Sequence, residues 1–163
     1  MQNECSILIG GQAGDGIKLA GDTVAKLFNR LGYWIFAYID YPSLITGGHN
    51  FVIVRAGSEK ILAHADKVDI FLALNQETVE KHAWRLKEKT LIIFDSNSVK
   101  AKGLGLSLSE IVKNKGLPRI ARNSAGLGAV ASVLEIEFPI VADVIRSSIK
   151  KKTKENIEAA KVA

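Results

Sequence analysis

The chain has 163 residues, 47% apolar and 24% charged, with a net charge of +5. These proportions suit a folded domain spanning 1–163 and exclude a disordered chain or a large multidomain enzyme; no apolar run approaches the roughly 20 residues of a membrane span. The basic excess gathers at Lys150, Lys151, Lys152 and Lys154, so the remainder is near neutral and neither nucleic acid nor a membrane is the expected partner.

Cys5–Ile9 reads as a first buried strand. Cys5 is the single cysteine, which forbids an internal disulfide, points to a reducing cytoplasmic compartment, and cannot by itself supply a four-thiolate iron-sulfur site. The N-terminal residues lack the basic-then-apolar pattern of a signal peptide. Apolar residues at Ile17, Ala20, Val24, Leu27, Phe28 and Leu31 recur at helical spacing, and Gly32 stands where a C-terminal glycine cap belongs. Trp34–Ile39 and Phe51–Arg55 read as strands, and Ala56–Leu62 reads as the turn and return of an antiparallel edge hairpin. Asp69–Leu74 and Leu91–Asp95 are further strands flanking a helix over Gln76–Lys87, with Val79, Ala83 and Leu86 turned inward. A short helix over Leu108–Lys115 and a short strand near Arg119–Ala121 would close the sheet. Asn123–Ile136, apolar on nearly all sides, predicts a buried helix capped by Asn123 or Ser124. Pro139 opens a helix over Ile140–Lys150, and Lys154–Val162 reads as a charged, frayed final helix. The alternation predicts a Rossmann-like three-layer αβα sandwich, mostly parallel, with one antiparallel edge hairpin.

Three segments offer chemistry. The turn Gly10-Gly11-Gln12-Ala13-Gly14-Asp15-Gly16 joins a buried strand to a helix, where backbone amides and the helix dipole favour an anion. It matches neither G-x-G-x-x-G nor a Walker sequence, so it names no nucleotide. Gly14-Asp15-Gly16 resembles the start of a thiamine diphosphate motif, but no asparagine follows at the required distance. The loop Asp40–Asn50 follows a strand end, where open α/β sheets bind ligands, and concentrates Tyr41, Ser43, Gly47, Gly48, His49 and Asn50. No partner is placed for His49 as a base. His64 and His82 read as surface residues without metal spacing, so no metal is assigned. Asn123–Ala129 begins a helix whose Gly126 and Gly128 admit close backbone approach.

Taken in order, Gly11-Gln12-x-Gly14-x-Gly16-Ile17, Leu19-Ala20-Gly21, Gly32-Tyr33 and Asp40-Tyr41-Pro42-Ser43-Leu44-Ile45-x-Gly47-Gly48-His49-Asn50 resemble the gamma subunit or domain of the 2-oxoacid:ferredoxin oxidoreductases, with Arg55 closing the next strand. The Tyr-Pro-Ser and Gly-Gly-His-Asn version is similar to the 2-oxoglutarate or branched-chain type. Thr46 stands where the family usually has arginine, which leaves open the anion contact of that arginine. The resemblance implies oxidative decarboxylation of a 2-oxo acid with coenzyme A, giving acyl-coenzyme A, carbon dioxide and reduced ferredoxin. Thiamine diphosphate, Mg2+ and iron-sulfur clusters are then expected in alpha, beta and ferredoxin-like delta partners rather than in this chain. It implies that Gly11, Gln12, Gly14, Gly16, Tyr41, Ser43, Gly47, Gly48, His49, Asn50 and Asn123 face coenzyme A or the thiamine subunits, with no catalytic residue here; a homodimer in isolation stays open. Two rival readings are an independent nucleotide- or flavin-binding module and an oligomerisation module built on the small-residue helix.

Overall fold

Unbroken apolar sequence at Ile7–Ile9 signals a strand covered on both faces. In the computed structural model, which describes residues 4–40 and 48–163, β1 (Glu4–Gln12) is buried from Cys5 to Gly11. The other strands are β2 (Trp34–Asp40), β3 (His49–Gly57), β4 (Val68–Ala73), β5 (Leu86–Asp95) and β6 (Leu104–Leu106), in the sheet order β2-β3-β1-β4-β5-β6. β1, β4, β5 and β6 pair in parallel, whereas β3 runs antiparallel to both β1 and β2. The predicted, mostly parallel α/β sheet is present, and its antiparallel edge is the β2–β3 pair.

Helix α1 (Ile17–Arg30) buries Ile17, Ala20, Val24, Leu27 and Phe28 along one stripe. It ends as the sequence suggests. Gly32 adopts φ 84°, its amide donates to the Asn29 carbonyl at 3.0 Å, and the Tyr33 amide donates to the Phe28 carbonyl at 3.1 Å. The Phe28 and Tyr33 rings then meet edge to face, completing the apolar contact of a Schellman ending.

Helices α3 (Leu108–Asn114), α4 (Arg122–Val133), α5 (Phe138–Ser148) and α6 (Thr153–Val162) join α1 on one face of the sheet. The opposite layer is thinner. There α2 (Gln76–His82) and neighbouring segments cover Leu8, Phe51, Ile53, Phe71 and Phe94. Gly126 and Gly128 let α4 pack closely in two directions. A Cβ on Gly126 would sit 2.8 Å from the Leu72 side chain, and one on Gly128 only 1.9 Å from the Ala160 carbonyl oxygen.

Several expectations need correction. Lys60–Leu62 forms no strand: β3 already has β1 and β2 on its two edges, and Ile61 folds against Gly57 instead. Arg119–Ala121 is a 3-10 turn, and the three-residue β6 occupies the sheet edge. α2 stops at His82 and passes through a 3-10 turn into β5. Val79 and Leu86 pack against the core as expected, joined by buried Thr78, His82 and Arg85, but Ala83 is exposed. Neither Asn123 nor Ser124 caps α4, because the helix already begins at Arg122. Finally, α6 is anchored, with Asn156, Ala159 and Ala160 buried. The small-residue helix is therefore consumed inside the chain, which removes the feature that suggested an oligomerisation module.

Candidate functional site at the strand ends

The strand directions bring the ends of distant segments together. Because β3 runs against β1, its first residues lie beside the last residues of β1: Gln12 is in register with His49, and Gly11 with Asn50. The Ala13 amide donates to the Gly48 carbonyl at 2.6 Å, tying the glycine turn to the end of the β2–β3 connection. Asn123 reaches the same turn from α4, its Nδ2 donating to the Asp15 carbonyl at 2.6 Å and the Gly16 carbonyl at 3.2 Å. Gly11, Gln12, Gly16, Gly48, His49, Asn50 and Asn123 thus gather at one end of the sheet. Gly14 stands at the tip with φ 98° and open space around it. Tyr41, Ser43 and Gly47, with Thr46, lie outside the described residues.

Beneath the turn is a charge network that no sequence spacing announced. Asp15 is buried; its Oδ2 accepts from the Gln12 amide at 2.9 Å, and its Oδ1 lies 3.0 Å from Arg122 Nη2 and 3.0 Å from Arg119 Nε. Arg122 Nη1 also donates to Asp95 Oδ2 at 2.8 Å, and Arg119 Nη2 donates to Gln12 Oε1 at 3.0 Å. Ser109 adds an amide donor at 3.3 Å and a hydroxyl donor at 2.5 Å to Asp95. Burial pushes the Asp95 carboxyl up, but hydrogen bonds from Ser109, Arg122 and the Asn97 amide outweigh it and hold it below the usual carboxylate range.

Asp15 and Asp95 balance Arg119 and Arg122 in formal charge, so the turn presents no net cationic cradle. The Asp15 carboxylate accepts the Gln12 amide within the turn, so a backbone donor that a phosphate would use is already committed. This weakens the nucleotide- or flavin-binding reading.

His49 and His82 correct the sequence reading most directly. His82 is buried, and its Nε2 lies 2.8 Å from His49 Nε2. At that distance the two nitrogens share one proton. Phe51 packs 4.3 Å from the His82 ring, and Arg85 extends over Phe51 and Trp84. Burial pushes both imidazoles below their ordinary pKa, His82 to about 4, with His49 and Arg85 adding repulsion at His82. The pair is neutral near pH 7. Position 82 recurs with 78 and 85 on one helical face, a periodicity that could have revealed it.

A mostly parallel α/β sheet, with an internally neutralised glycine turn at the end of β1 beside the start of β3, defines a Rossmann-like domain. The chain belongs to the pyruvate ferredoxin/flavodoxin oxidoreductase family, whose model matches residues 6–163. It is 27% identical to the 2-oxoglutarate synthase subunit KorC of Archaeoglobus fulgidus, over 99% of this chain and 87% of KorC. An alpha subunit of a 2-oxoacid:ferredoxin oxidoreductase from Sulfolobus is 30% identical over 51% of the chain, which spans only 13% of that relative's length. In structure, the keto/oxoacid ferredoxin oxidoreductase gamma subunit of Geobacter sulfurreducens superposes with a TM-score of 0.83 at 23% identity, covering 96% of this chain and 92% of that one. The 2-oxoglutarate:ferredoxin oxidoreductase of Magnetococcus marinus gives 0.85 at 24% identity, covering 98% of this chain but 30% of that one. At these identities the structural likenesses establish the fold. No helix among the described residues is long and apolar enough to cross a membrane.

Proposed function

We propose that this chain is the gamma-type component of a cytoplasmic 2-oxoacid:ferredoxin oxidoreductase that converts a 2-oxo acid and coenzyme A to acyl-coenzyme A, carbon dioxide and reduced ferredoxin, with a 2-oxoglutarate-type substrate. The carrying observation is the meeting of the glycine turn, Gly48–Asn50 and Asn123 at one end of the sheet. Likeness to KorC along nearly the whole chain supports the substrate type.

The surface formed by Gly11, Gln12, Gly14, Gly16, Gly48, His49, Asn50 and Asn123 faces coenzyme A and the thiamine-bearing partner, and Tyr41, Ser43 and Gly47 of the neighbouring sequence are assigned the same role. The chain shapes that entrance and does no bond chemistry. Iron-sulfur clusters do not fit its own donors, since one buried cysteine with its thiol pushed up to about 12 cannot furnish a cluster's thiolates. Thiamine diphosphate with Mg2+, and the clusters, supply carbanion and electron-transfer chemistry from alpha, beta and delta subunits.

Anaerobic purification of the tagged chain from its own organism tests this. Stoichiometric co-purification with thiamine- and iron-containing subunits, and 2-oxoglutarate-dependent reduction of ferredoxin by the eluate, is expected. A chain that elutes alone and free of both cofactors overturns the proposal. Replacing Gly48 by leucine in the complex should raise KM for coenzyme A or weaken assembly.

A further inference from the structure

We infer that the cavity between α1, α4 and the 149–152 connection of α5 to α6 binds an amphipathic anion: an apolar body with a carboxylate or similar head. The cavity holds about 820 Å3, within the range of small-molecule sites. Its interior is apolar, lined by Leu19, Ala20, Leu117, Ile120, Leu127 and Ile149. No acidic side chain lines it among the described residues.

The polar groups in its wall are already committed, with one exception. Thr23 Oγ1 donates to the Leu19 carbonyl at 2.6 Å, Ser124 Oγ to Asn156 Oδ1 at 2.7 Å, and Asn156 Nδ2 to the Lys152 carbonyl at 2.9 Å. Asn123 is only 6% exposed, and its amide orientation is set by the two carbonyls that Nδ2 binds. That orientation leaves Oδ1 buried without a partner. That acceptor is closed off within the wall, so it adds no donor requirement to a ligand.

The rim supplies the charge. Lys150, Lys151 and Lys152 line the cavity from the α5–α6 connection. Lys152, at φ 51°, sends Nζ to the Gly116 carbonyl at 2.7 Å, linking two segments of the rim. That contact sets an ammonium on an uncharged carbonyl, and an anion would outcompete it, because hydrogen bonds with both partners charged are stronger. Lys150 and Lys151 form no ion pair among the described residues. An apolar interior and a cationic mouth together select the ligand class.

The inference stands apart from the oxidoreductase reading, since binding is read on this chain alone. The probe is 8-anilinonaphthalene-1-sulfonate, which carries aromatic rings and a sulfonate, with decanoate and decanol as competitors. Expected is saturable one-to-one fluorescence enhancement on the natively folded chain, with decanoate displacing the probe at about tenfold lower concentration than decanol. K150Q/K151Q/K152Q should erase that preference while retaining binding of decanol. Leu19→Glu should abolish probe binding with an unchanged circular dichroism spectrum. If that variant does not fold, Ile120→Glu replaces it, since Ile120 is 39% exposed. Non-saturable enhancement, equal displacement by decanol, or full binding by a folded Glu variant overturns the inference.

Discussion

Arg122 donates to Asp95 at 2.8 Å with both side chains shut away from water. The same guanidinium faces Asp15, so one cation compensates acids from two strand ends. Breaking a buried pair costs far more than the pair contributes over an apolar substitute. Arg122→Met should therefore lower unfolding free energy by about 3–5 kcal/mol, read from urea denaturation. Adding Asp95→Asn should recover part of the loss, because the two positions are coupled. A loss below about 1 kcal/mol would show that the acids find other compensation.

The two histidines predict a second dependence, on pH. His82 falls from 6.5 to about 4 on folding, chiefly through burial, so the unfolded chain takes up protons first on acidification. Stability is intact above 6.5 and declines as pH falls toward about 4, by about 2 kcal/mol between pH 6.5 and pH 5. His82→Phe should flatten that interval in denaturation measured at each pH. Asp95, held below its ordinary range, acts in a separate window: its contribution is present above the unfolded carboxylate pKa of about 4 and is lost at lower pH. Equal slopes for both proteins from pH 6.5 to 5 would contradict the assignment to His82.

Gly128 leaves no room for a methyl group against the Ala160 carbonyl. Gly128→Ala should force α6 off α4 and cost about 1–3 kcal/mol. Limited trypsin digestion should then cut at Lys150–Lys152 well before the parent chain is touched, whereas unchanged protection would mean that the helices slide apart without detaching.

Cys5 is buried in β1, and burial pushes its thiol up to about 12. It should resist a disulfide reagent in the native chain and react stoichiometrically once urea unfolds it. Rapid native labelling would mean that β1 opens locally.

The legible parts were those with a local physical signature. Gly32 is one, because the left-handed ending of α1 needs glycine at that spot; Ile17–Phe28 is another, since its stripe repeats with the helix. β6 has only Leu-Gly-Leu, too short for any period. His82 hid because a polar helix face reads as solvated, although Thr78, His82 and Arg85 share one turn-to-turn stripe. The network of Asp15, Asp95 and Arg122 was invisible for another reason: its members lie far apart in sequence, and only strand order brings them together. Gly48–Asn50 and the glycine turn were recognised separately, but the reversed β3 makes them neighbours.

The position of β1 also bears on how the chain is made. This strand precedes every other yet sits inside the sheet between β3 and β4. A ribosome releasing the chain in order exposes Ile7–Ile9 before either flanking strand exists. Its first lateral neighbour becomes complete only with Gly57, and its second with Ala73. Nascent chains shorter than that hold an apolar strand with both edges bare, the condition that invites chaperone capture or aggregation.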